Sequence, residues 1–138
     1  MQYTVGVIMD PIASIKPHKD TSFAMMLEAQ RRGAKVIYFE LKDLYLDNGK
    51  PMGLGKTVSV KDQATDFYTI EDESTLYLGD VDVLLMRKDP PFDSEFLYAT
   101  QVLSLAQDAG ALVVNNPQAL RDYNEKLFTS YFPEHIPN

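Results

Sequence analysis

The chain is expected to fold as an α/β domain of three layers, a mainly parallel sheet between helices, with an antiparallel hairpin inserted into it. Two observations predict this. Short apolar runs alternate with helical patterns in the order strand, helix, strand, hairpin, strand, helix, strand, helix, and such alternation builds a parallel sheet with helices on both faces and right-handed crossovers. The clearest runs are continuous rather than alternating, as in strands buried on both sides. The length of 138 residues suits one domain. With 7 Phe, 8 Tyr and many Val, Leu and Ile residues, it can bury roughly two-thirds of its unfolded surface.

Residues 3–9 form the first run, ended by Asp10-Pro11, and 10–20 read as a loop holding Pro11 and Pro17. Asp20 can cap a helix reaching about Arg32, with Phe23, Met26, Leu27 and Gln30 on one side. Glu28 and Arg32 stand at i,i+4 in the favoured order, and Gly33 suits the left-handed C′ position. Residues 36–39 are the second strand. Residues 44–46 lead into Asp47-Asn48-Gly49, a hairpin turn, because Asn-Gly tolerates positive φ. Val58 and Val60 alternate with polar residues and predict an exposed antiparallel strand, with another over 67–70. Residues 81–86 are a buried strand. Asp93 can cap a helix from about Ser94 to Ala109, with Phe96, Ala99, Leu103 and Ala106 on one face, and Gly110 ends it. A strand over 111–114 follows. Asn116 with Pro117 opens a short helix, and Asp122 with Glu125 resembles a capping box for a last one. Residues 1–132 make the domain, and Pro133 and Pro137 read as the start of a linker over 133–138.

The charge of −7 argues against nucleic acid and against an anionic membrane surface. There is no Cys, so neither a disulfide framework nor a thiolate metal site is available. The first apolar run is too short for a signal peptide and lacks a basic flank, and no stretch approaches a membrane span.

In open α/β sheets, ligands bind beyond the carboxyl ends of the strands. Three such ends carry polar groups: Asp10; Arg87, Lys88 and Asp89; and Asn115 with Asn116. Arg87 and Lys88 are two cations at the end of an apolar strand in an acidic protein. Arg presents a planar fork that matches a carboxylate, so this rim suits an anionic small molecule. The plainer alternative is that Arg87 pairs with Asp89 or Asp10 and Lys88 is merely solvated. Asp10 can accept from an ammonium group, although an Asx turn before Pro11 is the simpler role. His18 and His135 lie in loops without a ligand-spaced partner and read as surface residues. Asp66 and Glu71 fit a solvated strand better than a catalytic pair. Gly55-Lys56-Thr57 matches the tail of a phosphate-loop motif, but Lys50 stands where its first glycine belongs, so a turn in the insertion is expected. No glycine-rich loop follows the first strand, and no Ser or Cys sits in a nucleophile elbow.

Several blocks together resemble prokaryotic glutathione synthetase along essentially the whole chain. They are Met9-Asp10-Pro11-Ile12, Ser22-Phe23-Ala24-Met25, the run from Leu27 to Gly33, Asp43-Leu44-Tyr45-Leu46 and the run from Met86 to Asp93. Phe96, Tyr98-Ala99-Thr100, Leu120-Arg121-Asp122 and the run from Asn124 to Phe128 complete the set. The resemblance implies a Rossmann-like (pre-ATP-grasp) domain that precedes an ATP-grasp domain. It further implies a cytoplasmic, homo-oligomeric ligase that joins γ-glutamylcysteine to glycine, giving glutathione through an acyl phosphate, with ATP and magnesium. Carried over, Arg87 binds the peptide substrate or product, Asp10 and Lys88 line the same cleft, and Lys126 reaches the ATP phosphates. Family members are roughly twice as long. The loop over the phosphates and the magnesium carboxylates belong to the other half, so the 138 residues alone are expected to be inactive. Two other readings share the same rim: a receiver-like signalling domain, which needs an Asp where Arg87 ends its strand, and a noncatalytic binding or assembly module.

Overall fold

A computed structural model describes residues 2–87 and 93–114. The elements are β1 (Thr4–Ile8), α1 (Thr21–Arg31), β2 (Lys35–Phe39), β3 (Leu44–Asp47), β4 (Lys50–Val60), β5 (Tyr68–Tyr77), β6 (Val83–Met86), α2 (Ser94–Asp108) and β7 (Leu112–Val114). One sheet runs in the order β3-β4-β2-β1-β6-β7, with β5 on the other edge of β4. Strands β2, β1, β6 and β7 are parallel, and β3, β4 and β5 join them as antiparallel hairpins beside β2. This is the α/β three-layer, Rossmann-like arrangement with an antiparallel insertion that the alternation predicts.

Strand parity divides the core. Val5, Val7, Val36, Tyr38, Val83 and Leu85 pack on one face with Phe23, Met26 and Ala29 of α1. Ile8, Ile37, Phe39, Leu84 and Met86 pack on the other with Phe96, Ala99, Val102 and Leu103 of α2. Both helices start where their caps direct. The Asp20 carboxylate accepts from the Phe23 amide and the Asp93 carboxylate from the Phe96 amide, each at 2.9 Å. Gly33 and Gly110 follow the two helices at φ +88° and +119°, where a Cβ would be strained. Asn48 and Gly49 turn the β3–β4 hairpin with φ +51° and +76°.

Two expectations for the insertion need correction. Val58 and Val60 are buried, at 4% and 3% exposure, because β4 lies between β2 and β5 and α1 covers its end. The Gln30 side chain donates to the Val60 carbonyl and accepts from the Val60 amide, both at 2.8 Å. It thereby replaces the strand neighbour that β4 lacks there. Gly55-Lys56-Thr57 is no turn but the middle of β4, paired with β2 through Ile37↔Thr57 and Tyr38↔Lys56. The strand expected over 67–70 extends to Tyr77. The linker at 133–138 and the two helices expected after Asn115 lie outside the described residues.

On the surface of α1, the Glu28 carboxylate accepts from Arg31 and Arg32, each at 2.6 Å. The Arg31 bond outweighs the opposing effect of burial and, with help from Arg32, holds the carboxyl at about 2 instead of 4.5. A depressed folded-state value stabilises the fold fully above the unfolded value and is lost as pH falls through the folded one. The site is partly solvated, so the contribution is at most about 1 kcal/mol. Glu28→Gln is therefore expected to lower stability by about 0.5–1 kcal/mol at pH 7. Urea titrations should show that gap closing between pH 4.5 and 2; a gap constant down to pH 2 would contradict the assignment.

Candidate functional site

The chain leaves β1 through α1 to reach β2 on one side, and leaves β6 through α2 to reach β7 on the other. β1 and β6 are neighbours, and the helices that follow them, α1 and α2, pack on opposite faces of the sheet, the switch point beside which open α/β sheets bind ligands at the carboxyl rim. The register Ile8↔Met86 brings the next residues of the two strands together at that point. The Arg87 amide donates to the Ile8 carbonyl at 2.8 Å, and the Met9 amide to the Phe39 carbonyl at 3.0 Å. Asp10 and Arg87 thus continue adjacent strands into one rim, and both are half-buried.

Arg87 follows the parity of Val83 and Leu85, toward α1. Its Nε donates to the Ser22 Oγ at 3.1 Å, and Ser22, in the first turn of α1, is only 4% exposed. The pairing expected as the plainer alternative is not found with Asp10: among the described residues no carboxylate forms an ion pair with Arg87. Asp89 lies outside the described residues. Apart from Asp20 at the N-cap, the first turn of α1 carries no acidic side chain.

The loop after Asp10 is held from below. The Pro11 carbonyl accepts from the Ser14 amide at 2.9 Å and from its hydroxyl at 2.7 Å. The Ile12 amide donates to the Tyr38 hydroxyl at 3.1 Å, which in turn donates to the Glu40 carboxylate at 2.6 Å. Burial, and then the Glu40 bond, push the Tyr38 hydroxyl well above the ordinary phenol range, so it stays a neutral donor. The Glu40 amide donates to the Asp43 carboxylate at 2.8 Å, and the Lys56 Nζ reaches the same oxygen at 3.3 Å.

The rim position expected for Asp10 and Arg87 is what the fold shows, whereas the polar contacts of Ser22, Tyr38, Glu40, Asp43 and Lys56 were not anticipated. A polar handle on Tyr38, within the apolar run of residues 36–39, was the one signal available. Lys88, Asn115, Asn116, Lys126 and His135 lie outside the described residues, and His18 is exposed in its loop. The end of β6 carries Arg87 where a receiver would need its phosphoacceptor Asp. Among the described residues no group of three His, Cys, Asp or Glu gathers to hold a metal, and no helix is long and apolar enough to cross a membrane.

A family profile described as "Prokaryotic glutathione synthetase, N-terminal domain" matches residues 3–121. The chain is 54% identical over 133 residues to a protein named glutathione synthetase from Vibrio cholerae, covering 96% of this chain and 42% of that protein. A glutathione synthetase from Escherichia coli O6:H1 is 53% identical over the same shares. One from Yersinia pestis is 54% identical over 134 residues, 97% of this chain and 42% of its own. The chain therefore spans less than half the length of these relatives.

Proposed function

The chain belongs to the family of prokaryotic glutathione synthetase N-terminal domains, and on that premise we propose that it supplies the substrate-side wall of an ATP-dependent, peptide-bond-forming ligase. In this reading γ-glutamylcysteine and glycine are joined to glutathione in the cytoplasm by a homo-oligomeric enzyme. Arg87 receives a carboxylate of the peptide, and Asp10 and Lys88 line the same cleft. The observation that carries it is the half-buried Arg87 guanidinium at the switch point, with no carboxylate partner among the described residues. A cation withdrawn from water favours a charged, hydrogen-bonding counterpart. A substrate carboxylate has the required charge and planar geometry.

ATP and magnesium supply the activation of a carboxylate in this proposal. Among the described residues no group of three His, Cys, Asp or Glu gathers, and Lys126, the residue proposed for the phosphates, lies outside them. The part assigned to the described residues is confined to binding and orienting the peptide. Holding the reacting carboxylate in a fixed place is itself a large share of catalysis in ligations of this kind.

The test is a chimaera in which this chain replaces the matching segment of the Vibrio cholerae relative, assayed for glutathione formed from γ-glutamylcysteine, glycine, ATP and magnesium. The isolated 138 residues, expected to form none, serve as the blank. Arg87→Ala in the chimaera is expected to lower kcat/KM for γ-glutamylcysteine by about 100-fold, as the loss of a charge-assisted pair at a half-buried site predicts. The KM for ATP should be nearly unchanged. Equal kcat/KM values for parent and Arg87→Ala would remove the reading.

A further inference from the structure

We propose that Ser22 is a positioning residue for Arg87, setting which edge of the guanidinium meets the ligand. The inference rests on the reading of Arg87 given above and deepens it. Three facts support it. The Ser22 hydroxyl is buried, at 4% exposure, on the first turn of α1. It accepts from the Arg87 Nε at 3.1 Å. The Arg87 backbone is independently fixed by its amide bond to the Ile8 carbonyl at 2.8 Å.

A guanidinium can meet a carboxylate through either of two edges, one formed by Nε with an Nη and the other by the two Nη groups. The Ser22 bond occupies Nε, which leaves the edge of the two Nη groups for a ligand. With the backbone fixed at one end and Nε held at the other, the long side chain loses most of its rotamer freedom before the ligand arrives. Ordering it in advance removes that cost from binding. Ser suits the task because its hydroxyl can rotate to accept while the small side chain fits under the helix. Alanine keeps the volume nearly unchanged and favours a helix slightly more than serine, so removing the hydroxyl leaves the fold intact.

The test uses the 138-residue chain with glutathione as the probe, its affinity read by titration calorimetry and the Arg87 Nε–H by nitrogen-15 NMR. Ser22→Ala is expected to weaken glutathione about tenfold, the size expected for one hydrogen bond to a charged group. The melting temperature should be nearly unchanged, and the Arg87 Nε–H should exchange faster. In an Arg87→Lys background, where there is no fork to orient, the same substitution should have no effect on affinity. Parental affinity in Ser22→Ala would overturn the proposal, and so would an equal tenfold loss in the Arg87→Lys background, since Ser22 would then act through some other group. Undiminished binding in Arg87→Lys would instead remove the underlying reading of Arg87, and this inference with it.

Discussion

Phe39→Ala is expected to cost about 3–5 kcal/mol, at the upper end of what large-to-small core changes do. The ring is fully buried on the α2 face of the sheet. It lies against three glycines on two strands, Gly6 of β1 and Gly53 and Gly55 of β4: a Cβ at Gly53 would come within 2.7 Å of it, one at Gly6 within 3.0 Å and one at Gly55 within 3.1 Å. The floor of the site is therefore bare backbone. When a core residue is truncated, neighbouring side chains usually lean in and shrink the cavity, and the cost depends on how far they can. Here three of the nearest positions have no side chain to move. Denaturant titration should show a large fall in midpoint with an unchanged slope. A loss below about 1.5 kcal/mol, the range of volume-conserving swaps, would mean that the site collapses after all.

Two of these glycines, Gly53 and Gly55, explain where sequence reasoning failed. Gly55 opens the stretch Gly55-Lys56-Thr57, which reads as a turn in the insertion once Lys50, standing where a phosphate loop needs glycine, rules that motif out. In the fold these glycines make room for Phe39, Ile37 and Leu76, a close approach that only the tertiary structure reveals. β5 was traced only in part for another reason. Its central residues, from Thr69 to Thr75, are exposed, so no apolar alternation marks their extent, and Glu71, Asp72 and Glu73 keep the edge soluble. What was legible rests on local chemistry: the caps Asp20 and Asp93, the turn at Asn48-Gly49, and the continuous runs of β1, β2 and β6. The rim was half-legible. Asp10 and Arg87 could be placed because a strand end is a sequence position, whereas Ser22 stands 65 residues from its partner, and nothing in a helical Ser announces such a contact.

Asp43→Ala is the second large effect, expected to cost about 3 kcal/mol through an uncompensated buried charge. Asp43 is 6% exposed, and one of its carboxylate oxygens serves two donors, the Glu40 amide at 2.8 Å and the Lys56 Nζ at 3.3 Å. The Lys56 side chain is itself only 16% exposed, with its Nζ 5.4 Å from the centre of the Tyr38 ring. Alanine leaves that ammonium without its carboxylate and the Glu40 amide without an acceptor. If the orphaned charge is the main cost, removing it should restore stability: Asp43→Ala with Lys56→Met is expected to be more stable than Asp43→Ala alone by about 1–2 kcal/mol, a coupling that a double-mutant cycle measures. Asp43→Asn, which keeps an oxygen for the Glu40 amide, should fall between parent and alanine. The disturbance should also travel to the rim. Glu40 holds the Tyr38 hydroxyl, and that hydroxyl holds the Ile12 amide in the loop after Asp10. Hydrogen exchange at Ile12 should therefore quicken in Asp43→Ala more than exchange at Val7 in the sheet core. A double variant no more stable than Asp43→Ala would show that the unpaired Glu40 amide, and not the stranded lysine, sets the cost.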